Sequence, residues 1–380
     1  MKQFLRRLSN WLETHWVKPA YGGALCLGLS LFYFASATNT MSGWLYAISG
    51  TSFALLGIAA VLPVRSIRPL KIYRHPIEPV SMGERLTVIL DIENPQSQPK
   101  LLLQVRDIIP HRLGGVPKTS IEIVPARDRH RWIYTQIARR RGVYYWRDVQ
   151  LRTAAPLGLF WCRRSRNAPA KAIVYPTVLT LTRCPLIDGI GQDENPLFAT
   201  DDRQIQAASE GLTRTLRPYR FGDPMRLIHW RTSARYGELR VREMEMFQSG
   251  LDLVIALDTA GSWQPEDFEQ AAIAAASLYF YASRRQLNVK FWSAKTGEVQ
   301  GHRVVLEALA AANFNETVAD RSLPHRPTVW LTSSSHPIND LPKNSRWVLW
   351  SETPPSGLDY RGISIDAHSD LQHQLQSLLH

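Results

Sequence analysis

The sequence predicts a membrane-anchored chain of mixed class: an N-terminal two-helix transmembrane hairpin, then a β-sandwich, then an α/β domain with a mainly parallel sheet. Three observations carry this prediction. Two long stretches without a charged residue stand close together near the N-terminus. Short apolar runs punctuated by Pro, Gly and Asn fill the middle. Strand-like and helix-like patterns take turns beyond Gly250.

Composition sets the outer limits. A chain of 380 residues has room for two or three domains, and 44% hydrophobic against 21% charged residues excludes wholesale disorder. A formal net charge of +12 points to an anionic surface nearby, either lipid headgroups or nucleic acid. Cys26, Cys162 and Cys184 lie far apart and form no Cys-x-x-Cys pair. Neither a disulfide framework nor a zinc site is indicated, and a reducing compartment fits.

Residues 1–19 read as a cytoplasmic N-terminal segment and residues 20–64 as the hairpin, with spans at 20–38 and 43–64. About 19 helical residues cover the roughly 30 Å hydrocarbon core. Asn39, Thr40, Met41 and Ser42 allow only a tight reversal, so the spans are antiparallel neighbours. Lys2, Arg6, Arg7 and Lys18 precede the first span, Arg65, Arg68, Lys71 and Arg74 follow the second, and the turn is uncharged. The positive-inside rule then places both termini and the soluble domains on the cytoplasmic face of the plasma membrane. Trp16, Tyr21, Trp44 and Tyr46 stand where interfacial aromatics belong. A cleaved signal peptide is the plainer alternative, but the region before the first span is long, and no small-residue cleavage site leads into polar mature sequence.

Residues 70–182 carry the runs LTVILDIEN, KLLLQVRDII, TSIEIV, RWIYTQIA, GVYYWRDVQLRT and KAIVYP, the spacing of an immunoglobulin-like β-sandwich. Leu86, Val88, Leu90 and Ile92 alternate onto one face. A basic and aromatic mixture, Arg139 to Arg141, Tyr144, Tyr145, Trp146, Trp161, Arg163, Arg164 and Arg166, has the composition of a nucleic-acid surface. On a sandwich tied to a membrane, snorkelling at headgroups or packing within the sandwich accounts for it better, which argues against nucleic acid as a partner. Residues 183–210 are polar and acidic and read as a linker.

Residues 211–247 form an arginine-rich segment without lysine, holding Arg214, Arg217, Arg220, Arg226, Arg231, Arg235, Arg240 and Arg242. Within it stand Gly222 and Asp223, Arg226, Ile228, His229 and Trp230, Ala234 and Arg235, Glu238 and Leu239, then Arg242 and Glu243. This series resembles the hallmark of the domain of unknown function 58 family (DUF 58). Upstream, RRRGVYYW, APLGLFW and VYP resemble further elements of that family, with Ala155 standing where the family carries Asp. The resemblance implies two N-terminal membrane helices and partnership with a MoxR-type AAA+ ATPase in assembly or maturation of other proteins. Guanidinium forks hold carboxylates bidentately, so Asp223, Glu238, Glu243 and Glu245 could close the segment into a structural clasp between the domains. The sharper alternative is a docking surface with His229 and Trp230 as anchors.

Residues 248–380 read as strand, helix, strand, helix and further strands: LDLVIALDT, PEDFEQAAIAAASLYFYASRRQ, NVKFWSA, VVLEALAAANF, TVWLTSS, RWVLWSE and GISIDA, with SDLQHQLQSLL closing. Asp258 ends the first strand, where ligands bind in doubly wound sheets. Asp258 and Ser262 resemble part of the Asp-x-Ser-x-Ser signature of von Willebrand factor A domains, while Ala260 occupies the first Ser position. That resemblance implies a Rossmann-type fold and a degenerate Mg²⁺ site at Asp258 and Ser262.

Signatures of a phosphate loop, a His-Glu-x-x-His zinc site and a nucleophile elbow are absent from the sequence. The leading expectation is therefore a non-enzymatic membrane-anchored adaptor presenting a protein-binding α/β domain to the cytoplasm. A Mg²⁺-dependent receptor acting through Asp258 and Ser262 is the first alternative, and an enzyme with an unrecognised constellation the second.

Overall fold

The computed structural model describes residues 2–190, 213–218, 229–244, 252–316, 326–334, 338, 341–342, 344–351 and 362–377. The chain divides into two compact units, Met1–Thr177 and Val178–His380.

The first unit opens with helix α1 (Lys2–His15), a short strand β1 (Lys18–Pro19), and helices α2 (Tyr21–Thr40) and α3 (Gly43–Ile67). α2 and α3 are each long and apolar enough to cross a membrane. Leu29, Phe32, Ile58 and Val61 point outward on them. A belt of that kind is costly to leave in water, which suggests membrane association. Buried positions recur at seven-residue spacing, Ser30 and Ala37 on α2 with Ser49, Leu56 and Pro63 on α3. Small side chains at such a seam let two helices approach closely. Met41, in the left-handed region at φ 51°, ends α2 and reverses the chain.

Seven longer strands follow with one short one: β2 (Lys71–Arg74), β3 (Val80–Ser81), β4 (Arg85–Glu93), β5 (Lys100–Asp107), β6 (Lys118–Val124), β7 (Arg129–Ile137), β8 (Gly142–Thr153) and β9 (Phe160–Tyr175). One antiparallel sheet runs β2-β4-β7, and the other runs β1-β9-β8-β5-β6 with β3 beside β9. The alternation predicted for β4 holds: Leu86, Val88, Leu90 and Ile92 are all buried. Leu90 and Ile92 share a core with Leu103, Val105, Val149 and Leu151 of the facing sheet, so the two sheets pack as a sandwich.

A polar cluster sits inside that sandwich. Asp107, fully buried on β5, accepts from Arg74 Nη2 at 2.9 Å, Tyr134 Oη at 2.5 Å and Trp146 Nε1 at 3.2 Å. Arg74 also donates through Nε to the carbonyl of Ala168 at 3.1 Å and lies 5.2 Å over the Trp146 ring. Arg74 and Tyr134 belong to one sheet, Asp107 and Trp146 to the other, so the cluster ties the sheets through charge-assisted bonds.

β9 is longer than the run KAIVYP, and its first half fastens the N-terminal helices to the sandwich. Arg164 donates to the carbonyls of Thr14 (2.5 Å), His15 (3.1 Å) and Trp16 (3.1 Å), closing the C-terminal end of α1. Two residues on, Arg166 does the same for α3, donating to Ile67 (2.9 Å), Arg68 (3.0 Å) and Leu70 (3.0 Å). Cations at helix C-termini satisfy orphan carbonyls and complement the helix dipole. Arg152 adds an ion pair to Glu13 at 2.6 Å. Gly23 of α2 lies so close to β9's approach that an added Cβ would meet the Leu159 carbonyl oxygen at 2.1 Å. Much of the basic and aromatic mixture is thus occupied within the unit: Trp146 is buried, and Tyr144 Oη donates to the Arg140 carbonyl at 2.8 Å.

The second unit begins with a short turn α4 (Pro185–Asp188), whose neighbours Leu181, Cys184 and Ile190 enter its apolar core together with Leu186 and Ile187. The start of the predicted linker therefore packs inside this unit, because its apolar residues fall at helix-turn spacing between the polar ones. A hairpin of β10 (Thr213–Pro218) and β11 (Arg240–Met244) encloses helix α5 (Trp230–Tyr236) in sequence. Then come β12 (Asp252–Leu257), α6 (Pro265–Arg284), β13 (Asn288–Ser293), β14 (Gly297–Val299), α7 (His302–Ala311), β15 (Thr328–Thr332), β16 (Arg346–Trp350), β17 (Gly362–Ile365) and α8 (Leu371–Leu375).

Their sheet has the order β14-β13-β12-β15-β16-β17, parallel except for β14 at one edge. Counted from β12, that is 3-2-1-4-5-6, the order of the dinucleotide-type doubly wound sheet. Leu253, Ile255 and Leu257 face α6, α7 and α8. Val254 and Ala256 face the other way, into Trp292, Trp330 and Trp347 with Ile338 and Leu341. Among the described residues, α6, α7 and α8 all pack on one face, and large aromatics cover the other.

Candidate functional site

Two places in the second unit concentrate the chemistry. The first is the switch point, where the chain leaves β12 for β13 on one side while β15 lies on the other. In doubly wound sheets this is the point beyond whose strand ends ligands bind. Asp258 follows β12 directly and is nine-tenths buried. Its Oδ1 accepts from the backbone N–H groups of Ala260 (3.2 Å) and Gly261 (3.1 Å), and its Oδ2 accepts from the Thr332 hydroxyl (3.0 Å) at the end of β15. The side chain thereby turns the backbone and links two parallel strands. Burial pushes the Asp258 carboxyl above the ordinary carboxylate range, and the Thr332, Gly261 and Ala260 donors pull it partly back.

Neighbouring residues shape the same turn. Trp263 Nε1 donates to the Asp258 carbonyl at 2.6 Å, and the Thr259 hydroxyl accepts from the Ala294 N–H at 3.2 Å at the end of β13. A Cβ on Gly261 would stand 2.9 Å from Asp258 Oδ2, so the tight loop requires glycine there. Ser262 is exposed and joins the network through its backbone carbonyl, which accepts from the Ser333 hydroxyl at 2.8 Å. Both oxygens of the one carboxylate already accept hydrogen bonds. Among the described residues no group of three or more His, Cys, Asp or Glu side chains gathers here or elsewhere. A divalent cation would find one anionic ligand with hydroxyls around it, fewer than its usual oxygen shell. The sequence picks out Asp258 and Ser262 but not Thr332, which lies 74 residues on in a run that reads only as a strand.

The second place is the arginine-rich segment. Gly222, Asp223 and Arg226 of the signature lie outside the described residues. Arg217, Arg242 and Glu243 take positions on the β10–β11 hairpin, where Arg217 pairs with Val241, Leu216 with Arg242 and Thr215 with Glu243. His229 caps α5: its Nδ1 accepts from the Thr232 N–H at 3.2 Å, and its own N–H donates to the Arg240 carbonyl at 2.8 Å. Serine closes the motif. Ser233 Oγ donates to the His229 carbonyl at 3.1 Å and accepts from the Arg240 N–H at 2.9 Å, locking α5 onto β11. Gly237, at φ 72°, ends the helix in the left-handed conformation that glycine adopts without strain.

This scaffold holds its large side chains outward. Trp230 is 61% exposed and Tyr236 59% exposed. Arg231, Arg235 and Leu239 are exposed beside them. Arg240 lies 4.4 Å over the Tyr236 ring and pairs with Glu238 at 3.0 Å. His229 is therefore a structural cap, whereas Trp230 is not packed into a His-Trp pair. Helix α5 presents tryptophan, tyrosine and arginine together, the residue types that dominate binding hot spots.

Comparisons with known proteins bear on the same stretch. Residues 215–302 match the sequence model of the family described as protein of unknown function DUF58. The chain is 22% identical to the uncharacterised protein YeaD of Bacillus subtilis (strain 168), over 70% of this chain and 67% of that one. By both findings this chain is similar to DUF58 proteins over part of its length. Solved structures resemble it only distantly. A CARDB domain from Pyrococcus furiosus aligns with 28% of this chain and 94% of its own at 11% identity and a TM-score of 0.21. A late embryogenesis abundant protein aligns with 33% of this chain and 85% of its own at 12% identity and a TM-score of 0.21.

Proposed function

We propose that this chain is a non-enzymatic, membrane-anchored adaptor that uses the α5 surface to bind a protein partner at the cytoplasmic face. The exposed cluster of Trp230, Arg231, Tyr236 and Leu239 carries this reading. A structural clasp would bury its tryptophan, and a folded surface has no energetic reason to hold two large rings in water on a rigidly capped helix. The arginines of the same segment suit an acidic contact on the partner. We take that partner to be a MoxR-type AAA+ ATPase acting in assembly or maturation of other proteins, on the family resemblance alone. The positive flanks of α2 and α3 support the cytoplasmic placement. The 3-2-1-4-5-6 strand order and Asp258 at the switch point support a von Willebrand A-like reading of the second unit, and the paired antiparallel sheets an immunoglobulin-like reading of the first.

A second reading, a Mg²⁺-dependent receptor acting through Asp258 and Ser262, is favoured only by the position of Asp258 next to the Thr332 hydroxyl. Calorimetric titration of the full chain with Mg²⁺, repeated on Asp258→Ala, separates the two readings, since the adaptor needs no binding heat. For the adaptor itself, a photoreactive residue is placed at Trp230 and, as a control, at exposed Val304 on α7. Crosslinking in membranes should trap an AAA+ ATPase from position 230 and not from 304. Equal yields from both positions, or no ATPase adduct from 230, would remove the α5 surface from the account.

A further inference from the structure

An unassigned cleft lies in the first unit, between the end of α3 and the loop that leads into β5. It has a volume of about 700 Å³, within the usual range for small-ligand sites, and its walls include Leu62, Arg65, Ser66, Gln96, Lys100 and Pro156. Leu62, Arg65 and Ser66 stand at i, i+3 and i+4 and so share one face of α3.

The cleft is built around an uncompensated cation. Lys100 is only 7% exposed, and its Nζ donates to the Gln96 side-chain oxygen at 2.7 Å, a neutral partner. Among the described residues it has no carboxylate partner. Buried lysines are ordinarily paired, because removing an ammonium from water is expensive. Burial accordingly lowers the Lys100 ammonium from its ordinary pKa, with nothing opposing the shift. Arg65 brings a second cation to the same wall.

Depth in the membrane identifies the anion. On the membrane reading of α2 and α3, the uncharged run of α3 ends at Val64, which puts Arg65 where hydrocarbon gives way to headgroups. Next to the cleft, across Ala155 and Pro156, lies a second one of about 370 Å³ with mainly apolar walls, among them Leu102, Leu157 and Trp161. Leu101, Leu102 and Leu157 are exposed around it. Leu102 holds φ 49°, an unusual conformation for a branched residue, which turns the start of β5 locally. A cationic cleft beside an apolar one, both at the membrane boundary, matches a molecule with a phosphate head and acyl chains.

We propose that the cleft binds the headgroup phosphate of an anionic phospholipid, with Lys100 and Arg65 as its cations and the neighbouring Leu102–Leu157 surface against its acyl chains. The site rests on the membrane reading of α2 and α3 and is independent of the α5 surface.

The test uses the full chain in detergent, with native mass spectrometry counting retained lipid. Dioleoyl phosphatidylglycerol and dioleoyl phosphatidylcholine are compared on the native chain, on Lys100→Met and on Arg65→Gln, with inorganic phosphate as a competitor. Phosphatidylglycerol should be retained over phosphatidylcholine, Lys100→Met should weaken retention about tenfold, and Arg65→Gln should weaken it by a smaller factor. Arg65 is exposed, so its variant remains informative if Lys100→Met does not fold. Equal retention of the two lipids, or undiminished retention in the folded variants, overturns the proposal. Displacement of the lipid by inorganic phosphate at equal concentration would assign the cleft to free phosphate and overturn it equally. Release of the native chain from membranes by alkaline carbonate would instead count against the membrane reading beneath it.

Discussion

Replacing Asp107 by Asn keeps the shape of the sandwich interior and removes its charge. Arg74, whose side chain is 2% exposed, would then be a buried guanidinium without a counter-ion, left with neutral partners: the Ala168 carbonyl, the Trp146 ring and the introduced amide oxygen. Breaking a buried ion pair by removing one partner costs about 3–5 kcal/mol. In a unit of this size each kcal/mol moves the melting temperature by about 2–4 °C, so the expected drop is roughly 6–20 °C. The assay is thermal melting of the full chain in detergent, with hydrogen exchange on peptides from β5 and β8 assigning the transition to the first unit. Salt adds a second arm. A pair sealed from water is screened little, so the deficit should persist at about 1 M salt, where a surface pair would lose its effect. A drop of under about 2 °C, or a deficit abolished by salt, would refute the argument that this cluster binds the two sheets.

Three further outcomes follow from the geometry. Asp91 accepts from Arg131 at 2.9 Å and from His75 at 2.8 Å, and the Arg131 hydrogen bond holds its carboxyl down at about 2. A depressed carboxyl stabilises the fold above its unfolded value near 4 and loses that contribution as pH falls towards 2, so Asp91→Asn should flatten the stability profile between about pH 4 and pH 2 in acid denaturation. Gly23→Ala would drive a methyl into the Leu159 carbonyl, and limited proteolysis should then cut the 16–20 connection faster in the variant than in the native chain. Burial pushes the Cys184 thiol up to about 12 and raises Cys162, so iodoacetamide at pH 8 should leave both unmodified in the folded chain and alkylate both after denaturation, as mass spectrometry would read.

The parts of the molecule visible in the sequence are those set by local pattern. The two N-terminal helices are legible because each is a long uncharged run, and β4 and the strands after Gly250 are legible because their alternation or apolar continuity is unbroken. Asp258 could be singled out because it ends an apolar strand, the position beyond which ligands bind in doubly wound sheets. What escaped notice depends on distant partners. Arg166 reads only as one of a basic and aromatic mixture until β9 brings it to Ile67, 99 residues earlier, and Arg164 finds Thr14 across 150 residues. Arg74 reads as part of the positive flank of the second span, and nothing local joins it to Asp107, 33 residues on. Residues 183–190 fall in the stretch that reads as polar linker, yet Cys184, Leu186, Ile187 and Ile190 enter the core of the second unit. The exposure of Trp230 was equally hidden, since a tryptophan among arginines is as easily packed as presented.

The central claim is that α5 is a docking surface and not an internal clasp. Its most direct test is the affinity of the full chain, held in lipid nanodiscs, for a MoxR-type ATPase, measured for the native protein and for Trp230→Ala alongside their melting temperatures. Loss of an exposed hot-spot aromatic costs about 2 kcal/mol or more, so binding should weaken about thirtyfold while the melting temperature stays within about 2 °C. Unchanged affinity with a lowered melting temperature would contradict the docking surface and assign Trp230 to the clasp.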